Sequence, residues 1–320
     1  MCLKKWLSLS LTLLSFTVNA NSITLFVIPP PRPLSWVSPS QIAYTTVLAS
    51  TSDSYHSIGH VTAKVDCRID GRNVNFWSGM TSSDNNPSDS QLLLEDGFGM
   101  GILYYSYNGH HENAPEILND LEIAKNKFNR LFTLKFLINE AHCRRMAQYH
   151  REYKEYGVAK FYGLSHKPRL AEGAGCTAYA TSYLEVAGLL DASLKDSFSK
   201  TIRIPEILIG KDNHKVTFND VLYSDAAQNW ASPNDEHRVL HFYDTQFMYN
   251  WALDLKKSSH RPAHIRLDEE AYDQWHKYIP TSRKPRKGHR DRIIRKSNGF
   301  FGLIIDKRGV PPATDDIWQF

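Results

Sequence analysis

Residues 58 to 80 place alternating apolar and polar side chains on both sides of an Asp-Gly dipeptide. Apolar residues recur at every second position from Val61 to Val65, a period that is typical of a strand with one buried face. Asp70-Gly71 suits a two-residue turn, since the tight turns of hairpins need positive φ angles. The pattern predicts a β-hairpin whose second strand runs from Arg72 to Trp77.

The rest of the sequence predicts further strands and two helices. Helical spacing of apolar residues begins near Leu134 and extends to about Tyr153, with Thr133 as a candidate cap. A second helix is predicted from Cys176 to Ala187, ended by Gly188. Strands are predicted at 41–50, 101–107, 202–209 and 302–305, and a polar loop at 81–91. We expect an α+β fold in which an antiparallel sheet packs on helices.

The N-terminus has the order of features found in secretory signal peptides. Lys4 and Lys5 precede an apolar run from Trp6 to Val18, and Val18-Asn19-Ala20 offers small residues for cleavage. The apolar run is shorter than the roughly 20 residues that a membrane-spanning helix needs. We therefore predict a signal peptide at residues 1–20 and an exported mature chain, periplasmic or secreted.

Three cysteines remain after the predicted cleavage, namely Cys67, Cys143 and Cys176. Disulfides persist in exported proteins, and an odd number of cysteines leaves one thiol unpaired. If that thiol is Cys176, then Cys67 and Cys143 form a candidate disulfide, although spacing alone does not fix the connectivity.

A basic segment at 281–296 dominates the charge distribution. It contains eight Lys or Arg and one Asp, whereas the whole chain has a net charge of +4. Such a segment is either a solvated surface or a patch that attracts an anionic partner, such as phospholipid headgroups or phosphorylated cell-wall polymers. A nucleic-acid partner is not expected for an exported protein. The basic residues are Arg283, Lys284, Arg286, Lys287, Arg290, Arg292, Arg295 and Lys296.

Cys176 follows Gly173-Ala174-Gly175 and begins the second predicted helix. The N–H groups and partial positive charge of a helix N-terminus lower the pKa of a thiol placed there. The glycines let the backbone approach a ligand closely, and the backbone N–H of Cys176 could donate to an oxyanion. A buried cysteine packed on an amphipathic helix is the alternative interpretation.

His60 is the histidine whose context best suits a partner for a nucleophilic cysteine. It opens the first strand of the predicted hairpin, where a rigid backbone can fix the position of an imidazole. A surface histidine on a half-exposed strand is the alternative. A zinc site formed by His56, His60 and Cys67 is disfavoured, because an i, i+4 pair of histidines suits a helix. The sequence has no G-x-S-x-G, G-x-G-x-x-G or phosphate-loop pattern.

The order of these motifs resembles the permuted branch of the NlpC/P60 papain-like superfamily, which includes lecithin–retinol-acyltransferase-like proteins. In that branch the histidine strand precedes the cysteine helix, and the resemblance covers about residues 40 to 190. It depends on three short segments: Gly59-His60-Val61, Tyr162-Gly163-Leu164 and Gly175-Cys176-Thr177-Ala178.

The resemblance implies a papain-like catalytic domain at 21–200 with a C-terminal extension at 201–320. It implies Cys176 as nucleophile and His60 as general base, with a thioester intermediate and no cofactor or metal. Cleavage of an amide bond in peptidoglycan stem peptides is the leading expectation for an exported member. The second hypothesis is a lipid acyl hydrolase or acyltransferase, and the third is a non-catalytic envelope-binding module of the same fold.

The family usually has a polar residue that orients the histidine ring. Counting outward from the Asp70-Gly71 turn pairs Asp66 with Asn75 and His60 with Thr81. Thr81 is therefore the nearest candidate, while Asn75 lies on the same face but roughly 20 Å along the strand. An Asp or Glu is not evident at the expected place.

Overall fold

A computed structural model describes residues 20–52, 55–126, 128–211, 214–269 and 300–320. The predicted signal peptide, apart from its last residue Ala20, lies outside the described residues. The predicted basic segment at 281–296 also lies outside them. Within the described ranges, every helix is too short or too polar to cross a lipid bilayer.

The structure is a mixture of strands and helices, numbered here in chain order. The strands are β1 (Ser22–Ile28), β2 (His60–Ile69), β3 (Arg72–Ser78), β4 (Met80–Ser82), β5 (Tyr107–His111), β6 (Phe132–Leu137), β7 (Phe161–Tyr162), β8 (Ser199–Pro205), β9 (His237–Tyr243), β10 (Ile265–Leu267) and β11 (Phe301–Asp306). The helices are α1 (Pro39–Ser52), α2 (Ala114–Asn126), α3 (Glu140–Glu155), α4 (Cys176–Ala187), α5 (Ala192–Phe198), α6 (Phe218–Tyr223) and α7 (Thr245–Lys257).

The main sheet has six strands in the order β10-β11-β6-β1-β2-β3. Its neighbouring strands are antiparallel except β11 and β6, which run parallel. Alternate residues of β1 face opposite layers. Leu25 joins a core with α3 and α4, whereas Phe26 joins a smaller core with α2. The expected α+β class, with a mainly antiparallel sheet packed on helices, is confirmed.

The hairpin predicted around Asp70-Gly71 is confirmed, including its register. Both turn residues have positive φ angles, and β2 and β3 pair Ile69 with Arg72 and Asp66 with Asn75. The extrapolation to His60 and Thr81 is wrong, since the ladder ends where Ala63 pairs with Ser78. Beyond that point the chain enters a separate three-stranded sheet in the order β4-β5-β7.

The strand predicted at 41–50 is wrong, because this segment lies in α1. Its β-branched residues favoured a strand, but the hydroxyl groups bond within the helix instead. Thr45 Oγ1 donates to the carbonyl of Gln41 at 2.7 Å, and Ser52 Oγ donates to that of Leu48 at 2.6 Å. Ile42 is buried in a second core with β8 and β9, so tertiary packing outweighs the local preference.

The helix predicted from about Leu134 is wrong in its first part. Phe132–Leu137 is strand β6, which lies between β1 and β11 and is covered on both faces. Phe132, Leu134 and Phe136 alternate toward the main core, whereas the helical spacing of Leu134, Leu137 and Ile138 runs across the end of the strand by coincidence. Helix α3 begins at Glu140, and its N-cap is Asn139 rather than Thr133, with Asn139 Oδ1 accepting from the N–H of Ala141 at 3.0 Å.

The strand predicted at 101–107 is wrong over most of its length, because Met100–Tyr104 is a 3₁₀ turn and β5 begins only at Tyr107. The strand predicted at 202–209 is found as β8, which ends earlier, at Pro205. The strand predicted at 302–305 is confirmed as part of β11.

Chain segments beyond residue 200 contribute directly to the main sheet and its core. Strands β10 and β11 form one side of that sheet, and Leu303 is fully buried. Trp318 packs in the same core, and its indole N–H donates to Glu152 at 2.8 Å. The C-terminal and N-terminal parts of the chain therefore share one hydrophobic core.

Candidate active site

Helix α4 places Cys176 at its first position, as the sequence predicts, and ends at Gly188 in the left-handed conformation. The residue before it, Gly175, is the N-cap and provides no side chain to bond the first N–H groups. Gly173 has a φ of +94° and lies so close to the carbonyl of Phe161 that a Cβ would clash with it. The glycine-rich approach therefore packs on the strand that carries Tyr162.

Cys176 is a free thiol and is only 7% exposed. Burial alone would raise the pKa of its thiol. The His60 charge and hydrogen bonds from His60, Tyr162 and Thr177 outweigh that effect and lower the pKa to about 7. A substantial fraction of thiolate is therefore present near neutral pH, as a nucleophilic cysteine requires.

His60 is the first residue of β2 and is 2% exposed. Burial works against its charged form, but Glu112 and Cys176 raise the pKa of the imidazole well above its ordinary value. Its Nε2 lies 3.1 Å from Oε2 of Glu112. The structure thus brings together the two residues predicted from the sequence and favours a thiolate–imidazolium pair.

Glu112 is the acidic partner of His60 that the sequence did not reveal. It follows β5, is 6% exposed, and its backbone N–H donates to the carbonyl of Gly79 at 3.0 Å. His110 and His111 are the last residues of that strand. The only local signal is a glutamate directly after a short strand, because its nearness to His60 depends on the pairing of Thr81 with His110.

The other candidates for the orienting residue lie elsewhere. Thr81 is on β4 and pairs with β5, and the Asn75 side chain accepts from the backbone N–H of Cys67 at 3.2 Å. The position beside His60 is taken by Glu112. Cys67 and Cys143 form a disulfide that joins β2 to α3, so the sulfur of Cys67 is committed there.

Tyr162 is a further side chain at the sulfur. Tyr162 lies close enough to Cys176 for each of the two groups to shift the pKa of the other. Burial raises the pKa of Tyr162 well above its ordinary value, so the hydroxyl is protonated at neutral pH and can donate. The backbone N–H of Cys176 and the Tyr162 hydroxyl are therefore both candidate donors to an oxyanion beside the nucleophile.

A metal ion could find ligands among three of these side chains. Potential ligand atoms of His60, Glu112 and Asp120 lie within 4.8 Å of one another. Each is also engaged in a hydrogen bond, since Glu112 bonds His60 and Asp120 bonds His56 at 2.6 Å. The zinc set weighed from the sequence, with Cys67 as a ligand, is not assembled because that sulfur is in the disulfide.

A buried polar network connects Glu112's strand to the nucleophile helix. The hydroxyl of Tyr179 lies 2.7 Å from Nε2 of His111 and 2.9 Å from Oγ of Ser78. The network continues to Tyr183, whose hydroxyl lies 2.7 Å from Nδ1 of His150. Burial lowers the pKa of His111 to about 4, so this imidazole is neutral at pH 7. These contacts fix the position of His111, and so of the adjacent Glu112, relative to α4.

Gly79 is the residue whose lack of a side chain admits Glu112. A Cβ at this position would overlap the Glu112 carboxylate and lie 3.0 Å from Cγ2 of Thr62. We expect Gly79→Ala to displace the carboxylate from His60, lower the pKa of the imidazole and raise that of Cys176. Alkylation of Cys176 by iodoacetamide at about pH 6 should slow by about threefold to tenfold, because each pKa unit changes the thiolate fraction tenfold.

Gly309 provides the matched control for that substitution, since a Cβ there would have no neighbour within 4 Å. Gly309→Ala should react at the wild-type rate. Equal rates for wild type and Gly79→Ala would mean that the position of Glu112 has no influence on the thiol.

Comparison with known proteins gives no relative. No protein-family model matches the chain, and neither a curated protein nor a solved structure is similar to it at a significant level.

Proposed function

We propose that this protein is an exported cysteine hydrolase of the permuted papain-like kind. The observation that carries the proposal is a free thiol at a helix N-terminus, with its pKa lowered to about 7 beside a buried histidine–glutamate pair. Nucleophilic cysteine catalysis needs a thiolate, an imidazole within reach and a third group that orients the ring. Cys176, His60 and Glu112 supply these three functions.

The reaction follows from the placement of these groups. The Cys176 thiolate attacks a carbonyl carbon, and the resulting oxyanion accepts hydrogen bonds from the backbone N–H of Cys176 and from the Tyr162 hydroxyl. The His60 imidazolium then protonates the leaving amine or alcohol as the bond to it breaks, which leaves a thioester. Neutral His60 next takes a proton from water, the hydroxide attacks the thioester, and the thiolate is regenerated.

The substrate that we propose is an amide bond in a peptidoglycan stem peptide. Such amides are the common carbonyl substrates of an exported hydrolase in a cell envelope, which is where a chain with this N-terminus is expected.

The test is digestion of purified cell wall by wild type and by Cys176→Ala. We expect wild type to release new amino groups and the variant to release none, because the nucleophile is absent. A parallel reaction with labelled phospholipid vesicles distinguishes acyl-ester hydrolysis, and added EDTA distinguishes a metal-dependent reaction. Wild type and Cys176→Ala behaving alike in both reactions, while still binding cell wall, would overturn the hydrolase and favour a binding module.

A further inference from the structure

A second imidazole lies against the face of His60. The rings of His56 and His60 are stacked, with centroids 4.5 Å apart and planes inclined by 13°. His56 has a φ of +48°, and its carbonyl accepts from the N–H of Gly59 at 2.8 Å, which closes the turn before β2. A left-handed conformation is costly for a residue with a side chain, and here it brings the ring over His60.

His56 has a carboxylate partner of its own. Its Nε2 lies 2.6 Å from Oδ2 of Asp120, and the side chains of both residues are about one-fifth exposed. The Tyr55 hydroxyl donates to Oδ1 of Asp120 at 2.7 Å. Tyr55 and His56 therefore both hydrogen-bond to the Asp120 carboxylate. Because that carboxylate is fixed in place, it holds the plane of the His56 ring.

The two stacked rings are not electrostatically equivalent. Burial lowers the pKa of His56, and the nearby charge of His60 lowers it further. Asp120 is partly buried, yet its bonds to His56 and Tyr55 lower the pKa of the carboxyl below its usual value. At neutral pH a neutral His56 therefore donates to ionised Asp120, while His60 carries the positive charge beside Cys176 and Glu112.

We propose that His56 is a positioning residue, which holds the plane of the His60 ring through stacking and is itself oriented by Asp120. This inference rests on the proposed function of His60. The π face of a neutral ring attracts a cation placed over it, so the stack also favours the imidazolium form of His60. The groups facing His56 are His60 and Glu112 on the site side, and Tyr55 and Asp120 on the other.

The test measures the rate of Cys176 alkylation against pH for wild type, His56→Ala and His56→Phe. We expect His56→Ala to move the midpoint upward by about half a pH unit, which slows the reaction at about pH 6 by about threefold. His56→Phe keeps a flat ring over His60, so its midpoint should stay nearer to wild type. Where a substrate is in hand, kcat should fall for His56→Ala with KM unchanged.

Thermal unfolding of the same variants separates positioning from folding. His241→Ala, which removes an exposed histidine of β9, is the control and should match wild type. A His56→Ala variant that is less stable but keeps the wild-type midpoint and kcat would overturn the proposal. If wild-type Cys176 itself reacts no faster than an ordinary thiol, it is the proposed hydrolase that fails, so the two failures are distinguishable.

Discussion

His60→Gln should make Cys176 react at least about tenfold more slowly with iodoacetamide at pH near 6. Glutamine is neutral but can still donate to Glu112, so it removes the positive charge and leaves the buried carboxylate with a hydrogen-bond donor. Burial then dominates and raises the pKa of the thiol from about 7 to above its ordinary value. The thiolate fraction falls about 100-fold, partly offset because a more basic thiolate is the stronger nucleophile.

The pH profile distinguishes this effect from a general loss of structure. The wild-type rate should rise with a midpoint near pH 7 and then level off, as the thiol pKa of about 7 requires. The rate for His60→Gln should continue to rise beyond about pH 9. Cys176→Ser gives the background from other thiols, and His241→Gln, at an exposed histidine bonded to Thr201, is the matched control. Superimposable profiles for wild type and His60→Gln would exclude a Cys176–His60 pair.

The two central residues of the site were predictable because their signals are local. A cysteine at a helix N-terminus is visible as glycines followed by helical spacing, and α4 begins and ends where that pattern indicates. His60 was visible as the polar start of an alternating strand next to a strong turn. In both cases the property that matters, the end of a helix or the start of a strand, is fixed by neighbours in sequence.

Glu112 was not predictable because its position depends on pairing between distant segments. It is 52 residues from His60 in sequence and reaches the imidazole only because β4 leaves the hairpin and pairs with β5. The break between β3 and β4 occurs at Gly79. Counting the register outward from the Asp70-Gly71 turn assumes that the ladder continues beyond this glycine. Isolated glycines in a strand often mark such departures, but the sequence does not say which strand follows.

Helix α1 and strand β6 show that local sequence patterns also fail to predict parts of the fold. Residues 41–50 have strand-like composition but lie in a helix, since burial of Ile42 and Ala49 requires a helical face there. Leu134, Leu137 and Ile138 have helical spacing, but Phe132–Leu137 is a strand in the middle of the sheet. Each error has a tertiary cause, because local preferences of a few tenths of a kcal/mol per residue are outweighed by burial of large side chains.

Removal of the Cys67–Cys143 disulfide is the second large effect that we expect. The two cysteines are 76 residues apart in sequence, and closing a loop of that length restricts the unfolded chain severely. Chain-entropy arguments give a stabilisation of about 4.5 kcal/mol for such a loop. The Cys67→Ala/Cys143→Ala double variant should therefore unfold roughly 10 °C below wild type in scanning calorimetry.

Reductant provides the control for that comparison and separates the cross-link from the packing of the two side chains. Reduction should lower the unfolding temperature of wild type toward that of the double variant. It should leave the unfolding temperature of the double variant unchanged, because Cys176 is already a free thiol. The disulfide joins α3 to β2 at Cys67, seven residues beyond His60. Alkylation of Cys176 at 20 °C should therefore keep its wild-type midpoint near pH 7 in the folded double variant. A shift in that midpoint would show that the disulfide also positions the histidine, and an unchanged unfolding temperature would show that the cross-link adds little to stability.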